Sequence, residues 1–204
     1  MNTQQHSSSR SSSLIDRSDS VLVVIDVQDA FVHKLSSEQR QPLLDRISWL
    51  MRIANKLLVP LVVTAEDMDV LGDVCPKIRR AFPDDTQEVH NKMVFGLADQ
   101  PDILAAVERL ERGTIVLVGL ETDVCVAHSA LGLLDRGYKV AVVQDATGSP
   151  GAAHSYGLQR MEQSGVIMTN VKGIYFEWVR TVKGDNSMKD YMKGVGDSTP
   201  PVDL

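Results

Sequence analysis

Four short, predominantly apolar runs constrain the fold of this chain more than any other feature. They lie at 21–25, 61–65, 114–118 and 139–144, with a fifth, shorter run at 166–168. Short apolar runs rich in β-branched residues are typical of strands buried on both faces of a parallel sheet. Segments with helical periodicity separate them. Alternating strands and helices predict an α/β fold, here a three-layer α/β/α sandwich with a mostly parallel, Rossmann-like central sheet.

Composition excludes several classes of function. The chain has 204 residues, of which 43% are hydrophobic and 24% charged, as expected for a globular protein with a full core. Its formal net charge of -6 gives no reason to expect nucleic-acid binding. No apolar run approaches the roughly 18 residues that a membrane span needs. The first strand is not followed by Gly-x-Gly-x-x-Gly, so a dinucleotide site is not predicted either.

The chain divides into one domain and two tails. Residues 1–17 form a Ser-rich segment that we expect to be disordered, because it has few apolar residues to bury. Residues 18–183 form the domain, within which 70–86 is expected to be an irregular loop at a site or a subunit contact. Residues 184–204 are expected to be a loose tail, or an arm that packs on a neighbouring subunit.

The two cysteines, Cys75 and Cys125, exclude a disulfide framework and fit a reducing compartment. We therefore expect a cytoplasmic protein, although the acid-free N-terminal segment faintly resembles an organelle transit peptide. A single Cys75–Cys125 bridge stays open as an alternative, and with it a thiol-based redox function. Such a bridge would consume the thiol that is the best candidate nucleophile.

The stretch 119–128 reads Gly-Leu-Glu-Thr-Asp-Val-Cys-Val-Ala-His and joins a predicted strand to a predicted helix. With Asp123 as N-cap, Cys125 falls in the first turn of that helix. The free N–H groups and partial positive charge of a helix N-terminus favour a thiolate nucleophile and can hold an oxyanion. A buried structural cysteine is the alternative, and this stretch alone does not decide between them.

Two further residues are candidates for the same site. Asp26 directly follows the apolar run 21–25, where strands of open α/β sheets deliver ligand-binding groups, although Asp is also a common loop cap. Gln28 and Phe31 begin a loop expected to line a pocket. His128, one turn after Cys125, is a candidate base, but a packed histidine is the favoured interpretation.

Three segments resemble the isochorismatase-like cysteine hydrolases. They are Gly-Leu-Glu-Thr-Asp-Val-Cys-Val at 119–126, Asp-Val-Gln-Asp-Ala-Phe at 26–31, and Lys92 followed by Met-Val-Phe-Gly, and the similarity spans about 20–182. The resemblance implies a catalytic triad of Asp26, Lys92 and Cys125. It also implies a cis peptide between Leu120 and Glu121, and an oxyanion hole built from the N–H groups of Glu121 and Cys125. Thr122 is expected in the substrate pocket with Gln28 and Phe31.

The implied activity is hydrolysis of an amide or carbamoyl C–N bond through an acyl-enzyme on Cys125. Relatives that cleave a vinyl ether lack this cysteine, so isochorismatase-type chemistry is an alternative, as is a non-catalytic oligomeric binding protein. Nicotinamidases of the family carry a metal-binding aspartate and histidines after the second strand, whereas here no histidine follows that strand until His90. Glu66, Asp67 and Asp69 offer ligands for a hard cation, but a solvated acidic loop is the favoured interpretation. We therefore expect no metal and no cofactor, a small-molecule substrate, and a homo-oligomer.

Overall fold

The computed structural model describes residues 13–84, 86–194 and 200–204. Its centre is a six-stranded sheet whose neighbouring strands all pair in parallel, in the order β3-β2-β1-β4-β5-β6. The strands are β1 (Ser20–Ile25), β2 (Leu61–Glu66), β3 (Val89–Lys92), β4 (Thr114–Leu120), β5 (Lys139–Gly148) and β6 (Ile167–Thr169). The predicted three-layer α/β/α sandwich is confirmed.

Helices cover both faces of this sheet. They are α1 (Asp29–Val32), α2 (Ser37–Lys56), α3 (Met68–Leu71), α4 (Pro76–Arg79), α5 (Pro101–Glu108), α6 (Ala127–Asp135), α7 (Ala153–Gln163), α8 (Val171–Val179) and α9 (Val182–Gly194). Among the described residues, none of these helices combines the length and apolarity needed to cross a membrane.

The strands divide their side chains between two cores. In β1, Leu22 and Val24 join the core under α2 and α8, whereas Val21, Val23 and Ile25 join the core under α5, α6 and α7. Successive side chains of a strand point to opposite faces, so an entirely apolar strand is one covered on both sides. Every residue of β1 and β4 is buried, which places both strands at the centre of the sheet.

The segment expected to be an irregular loop at 70–86 holds more structure than predicted. It contains α4, which begins at Pro76 and buries Ile78 against α2, and it also contains the end of α3. Proline is favoured in the first turn of a helix because its missing N–H has no helical partner there. Helix α2 itself begins at Ser37 and includes Pro42.

Parts of both expected tails are folded. Ile15 lies in the core and Asp16 caps a short 3-10 helix, so the expectation of a disordered segment through residue 17 is wrong for its last residues. The expectation of a loose tail from 184 is also wrong. Helix α9 buries Met188 and Met192, which are one helical turn apart and so share one face. Residues 1–12 and 195–199 lie outside the described residues.

Candidate active site

Four polar side chains meet at the carboxyl end of the sheet. Glu66 and Lys92 are the last residues of β2 and β3, Asp26 follows β1, and Cys125 follows β4. These four strands are consecutive neighbours in the sheet, so their ends lie side by side. The sheet therefore brings together residues that are far apart in the chain, at the edge where open α/β sheets bind ligands.

Asp26 and Lys92 form a buried ion pair, with Lys92 Nζ 2.9 Å from Asp26 Oδ2 and both side chains 0% exposed. The hydroxyl of Thr64 donates to the other carboxylate oxygen at 2.8 Å. Lys92 Nζ also donates to the carbonyl of Val94 at 2.6 Å. The backbone of Asp26 has a φ of 48°, a left-handed conformation that non-glycine residues adopt mainly at special sites.

The thiol of Cys125 completes this group. Its Sγ lies 3.7 Å from Lys92 Nζ and donates a hydrogen bond to Glu66 Oε2 at 3.1 Å. Cys125 lies in a π-helical turn, Thr122–Val126, that precedes α6. The expected N-cap role of Asp123 is wrong. The N–H groups of Val124 and Val126 donate to the Glu121 carbonyl instead, and the carboxylate of Asp123 accepts from the Ser149 hydroxyl at 2.6 Å.

The charges of the site are strongly coupled. Burial raises the pKa of Asp26, and Lys92 opposes only part of that rise. Burial acts to lower the pKa of Lys92, but Asp26 and the other acidic groups outweigh it and raise that pKa, so the ammonium persists. Burial and then Asp26 raise the pKa of Cys125 well above that of a free thiol, with Lys92 opposing them. The expected lowering of the thiol pKa by a helix N-terminus is therefore wrong for the free protein.

Glu66 is a site residue that the sequence interpretation placed in a solvated acidic loop. Its carboxylate contacts both the thiol and the ammonium, with Oε2 3.5 Å from Lys92 Nζ, and its side chain is 20% exposed. It opens on a cavity of about 180 Å³ that is lined by Glu66, Asp67, Lys92, Met93, Val94 and Phe95. Glu66 could have been identified from its position in the sequence, because it directly follows an apolar run, as Asp26 does.

The three expected pocket residues have other surroundings. Gln28 is fully buried and hydrogen bonds to the main chain of Glu66 rather than lining the cavity. Phe31 is buried under the ammonium of Lys34, which lies 4.6 Å from the ring centre. Thr122 is buried as well, and its hydroxyl lies 2.9 Å from His154 Nδ1.

The segment before the thiol has the expected backbone. The peptide bond between Leu120 and Glu121 is cis, where the resemblance implies it. The Glu121 carboxylate points away from the thiol to Lys34, whose Nζ lies 3.2 Å from Oε2.

The remaining candidates lie apart from the group of four. His128 is exposed, and its ring packs edge-on against Phe95 with centroids 6.0 Å apart. Cys75 is buried, and burial raises the pKa of its thiol. Cys75 and Cys125 are both free thiols, so the alternative of a bridge between them is not what the structure holds.

Three side chains of the site carry atoms of the kind that bind metal ions. Single ligand atoms of Asp26, Glu66 and Cys125 lie within 4.8 Å of one another, close enough to share a metal ion. The ammonium of Lys92 contacts all three groups, at 2.9, 3.5 and 3.7 Å. A metal ion there would have to displace this cation and overcome its repulsion. The residues present therefore fit a lysine-centred site better than a metal centre.

Fold and site together define a parallel α/β/α protein with a buried cysteine, lysine and aspartate at the ends of its strands. A family model described as the isochorismatase domain matches residues 20–172, and the chain belongs to this family. The secreted isochorismatase effector Isc1 of Phytophthora sojae is 34% identical, over 78% of this chain and 76% of that protein. Isochorismatase domain-containing protein 2 of Xenopus laevis is 29% identical, over 80% and 78%.

Solved structures share the fold at lower identity. YcaC from Pseudomonas aeruginosa has a TM-score of 0.80 at 22% identity, covering 93% of this chain and 94% of its own. The MAR1 ribonuclease from Caenorhabditis elegans has a TM-score of 0.77 at 24% identity, covering 93% and 95%. The Escherichia coli YcaC protein, described as an octameric hydrolase of unknown specificity, has a TM-score of 0.74 at 20% identity, covering 93% and 100%.

Proposed function

We propose that this protein is a cysteine-dependent hydrolase that cleaves the C–N bond of a small amide or carbamoyl compound. The observation that supports it most is the position of the Lys92 ammonium, buried 2.9 Å from the Asp26 carboxylate and 3.7 Å from the Cys125 sulfur. A carboxylate to act as base, a cation and a thiol nucleophile within one desolvated group support nucleophilic catalysis.

In the free protein the thiol hydrogen points at Glu66 Oε2, and a carboxylate oxygen of Asp26 lies within 4.8 Å of the sulfur. In the first step of the proposed reaction, the thiol turns to Asp26, which takes its proton as the Cys125 sulfur attacks the carbonyl carbon. The nitrogen then leaves with the proton from Asp26, and a thioester remains on Cys125. Water attacks this thioester, Asp26 takes its proton, and the proton returns to the sulfur as the acid is released. The N–H groups of Glu121 and Cys125 would hold the oxyanion. Loss of one such donor typically raises the activation barrier by about 2.7–4 kcal/mol.

The pKa shifts of the free protein suit this order of events. Burial raises the pKa of both Asp26 and Cys125, so the thiol stays protonated and the carboxylate becomes a stronger base. Proton transfer then accompanies the attack rather than preceding it. Lys92 keeps its charge and offsets the negative charge that moves between the other two groups.

Hydrolysis of a vinyl ether is a second candidate, favoured by the name of the Phytophthora sojae relative. That chemistry protonates an alkene carbon and needs no thiol nucleophile. A Cys125→Ala variant therefore separates the two candidates, because vinyl ether hydrolysis would survive the change and amide hydrolysis would not.

The test is a panel of simple amides, ureas and carbamoyl compounds, with isochorismate included, followed by intact-mass spectrometry for an acyl-enzyme. We expect turnover of a C–N substrate, an adduct on Cys125, and loss of both in Cys125→Ala. Cys75→Ala is the matched control and should retain turnover, because Cys75 lies outside the group of four. Turnover of a C–N substrate by folded Cys125→Ala at the wild-type rate would refute the proposal.

We also propose that the protein forms a homo-oligomer. Met93 and Phe95, beside the site, are 62% and 54% exposed, and Phe176 on α8 is half-exposed. Burial of these side chains against a second copy of the chain would remove apolar surface from water. The octameric state described for Escherichia coli YcaC supports the same proposal. Light scattering at micromolar concentration should give a mass above the 22.4 kDa of one chain.

A further inference from the structure

Glu66 links the nucleophile to the cavity beside it. We propose that its carboxylate recognises the substrate by accepting a hydrogen bond from a substrate N–H group, so that the site takes small neutral or cationic nitrogen compounds and rejects carboxylates at this position. This inference rests on the proposed C–N hydrolase function and narrows its substrate class.

The exposure of the charged groups supports this role. Asp26 and Lys92 are 0% exposed, whereas the Glu66 side chain is 20% exposed and lines the cavity of about 180 Å³. One oxygen, Oε2, contacts the thiol and the ammonium. Within the described residues, no hydrogen bond or ion pair reaches the other oxygen, Oε1. A substrate held close to the Cys125 sulfur therefore meets an available acceptor.

The position of Glu66 is fixed before any substrate arrives. Its N–H donates to Gln28 Oε1 and its carbonyl accepts from Gln28 Nε2, each at 2.8 Å. Gln28 is itself fully buried. A recognition group held by its main chain loses little conformational entropy on binding, which is the usual advantage of preorganisation.

The charge of the site determines which substrates fit. Two carboxylates, Asp26 and Glu66, surround one ammonium, and burial raises the pKa of the Cys125 thiol so that it stays neutral. A substrate carboxylate next to Glu66 would add a third negative charge in a partly desolvated place. An amide, urea or amine nitrogen instead donates a hydrogen to a charged acceptor, which makes a strong hydrogen bond.

The cavity also limits size. Its volume of about 180 Å³ is below the roughly 300–1,000 Å³ of typical ligand pockets. Its lining combines the apolar residues Met93, Val94 and Phe95 with the acidic residues Glu66 and Asp67. A compound with one nitrogen-bearing head and a short apolar body matches both surfaces.

The experiment compares two alkylating probes that differ only in the recognised group. Iodoacetamide carries an amide NH₂ where iodoacetate carries a carboxylate, and in both reactions the Cys125 sulfur displaces iodide while its proton is lost. The rate ratio of the two probes therefore cancels the ionisation of the thiol. Peptide mass spectrometry assigns each label to Cys125 and separates it from Cys75. N-acetylcysteine supplies the reference ratio for an unperturbed thiol.

We expect the iodoacetamide-to-iodoacetate ratio at Cys125 to exceed the reference by about tenfold, the effect of one charge-assisted hydrogen bond. In Glu66→Gln the ratio should fall by about tenfold, because the charge is lost while the shape is kept. Asp69→Asn is the matched control. It removes a charge from the same acidic segment at an exposed position on α3, and its ratio should equal that of the wild type.

An unchanged ratio in Glu66→Gln would overturn the inference. If that variant does not fold, the wild type alone tests the inference. An iodoacetamide-to-iodoacetate ratio at Cys125 that is no higher in the native protein than in the urea-unfolded chain would also overturn it. Labelling needs no turnover, so the two proposals fail separately. A selective ratio without any hydrolysis would overturn the proposed function alone, and hydrolysis without a selective ratio would overturn the role of Glu66 alone.

Discussion

The side-chain amide of Gln28 hydrogen bonds to both main-chain groups of Glu66, its N–H and its carbonyl. Gln28 Oε1 accepts from the Glu66 N–H and Gln28 Nε2 donates to the Glu66 carbonyl, each at 2.8 Å, and Nε2 also donates to the Gly72 carbonyl at 2.7 Å. Gln28, which was expected to touch the substrate, is thus a positioning residue for Glu66, which opens on the cavity.

Replacing Gln28 with Met should therefore affect both stability and selectivity. The side-chain volume is nearly kept, but three main-chain groups of Glu66 and Gly72 lose their partner, at about 1–3 kcal/mol for each that stays unpaired away from water. We expect the free energy of unfolding in urea to fall by about 3 kcal/mol and the iodoacetamide-to-iodoacetate ratio at Cys125 to fall with it. Gln41→Met, at an exposed position of α2, should change stability by less than about 0.5 kcal/mol.

The ion pair of Asp26 and Lys92 predicts opposite effects of two substitutions on the thiol. Asp26 raises the pKa of Cys125 and Lys92 lowers it. In the wild type the labelling rate with iodoacetamide should still be rising above pH 9. Asp26→Asn should move this profile to lower pH and Lys92→Met should move it to higher pH, with about a tenfold change in rate at fixed pH for each pKa unit. Both variants should lose turnover, Asp26→Asn by about 10²–10⁴-fold.

The profiles are to be measured from pH 5 to 10 at a temperature where all three proteins are folded. Lys92→Met leaves a buried carboxylate without its cation and should lose about 3–5 kcal/mol of stability. Three superimposable profiles would contradict the assignment of these residues to one site. Normal turnover by Asp26→Asn, with loss in Glu66→Gln, would mean that Glu66 is the base.

Gly119 is where β4 passes closest to β1. It pairs with Ile25 at a φ of 125°, and an added Cβ would lie 2.0 Å from the Ile25 carbonyl oxygen. Gly119→Ala must therefore separate the two central strands just before Asp26 and Cys125. We expect a loss of at least about 3 kcal/mol in chemical denaturation, and loss of selective labelling.

Gly137→Ala is the control that separates the steric clash at Gly119 from the cost of placing alanine at a positive φ. Gly137 also has a positive φ, of 85°, but an added Cβ there meets nothing within 4 Å. It should lose only about 1–2 kcal/mol, the usual difference for alanine in the left-handed region. Equal losses in the two variants would show that the close approach at Gly119 does not determine stability.

Activity should survive removal of metal ions. Lys92 already provides the cation among Asp26, Glu66 and Cys125, so a metal ion has no vacant place between them. The measurement is hydrolysis, or failing that Cys125 labelling, before and after exhaustive dialysis against EDTA. Loss that zinc or iron restores would show that the lysine-centred interpretation is wrong.

The sequence was sufficient to predict the architecture and three of the four central site residues. Apolar runs identify buried strands because few other structures bury five consecutive residues, and polar residues that end such runs fall at one edge of a parallel sheet. Asp26 followed from this rule. Lys92 and Cys125 needed the family resemblance as well, since a lone lysine or cysteine has too many ordinary roles.

Other features depended on neighbours that the sequence does not reveal. Glu66 obeys the same rule as Asp26, but the acids after it made the segment look solvated. The pKa of the Cys125 thiol is raised mainly by burial and by Asp26, which lies far from it in the chain. The position of Cys125 near a helix N-terminus therefore predicted a pKa shift in the wrong direction. Helix α9 has a weakly apolar sequence and is placed by two methionines against the core.

The order of strands in the sheet also bears on when this protein becomes reactive. Residues 26, 66, 92 and 125 lie at the ends of four adjoining strands, and one of these, β3, is only four residues long and lies at the sheet edge. A nascent or partly unfolded chain thus carries an ordinary cysteine without its lysine or its acids. The fold both buries this thiol and sets it beside its lysine and acids, so the proposed site exists only once this edge strand is in place.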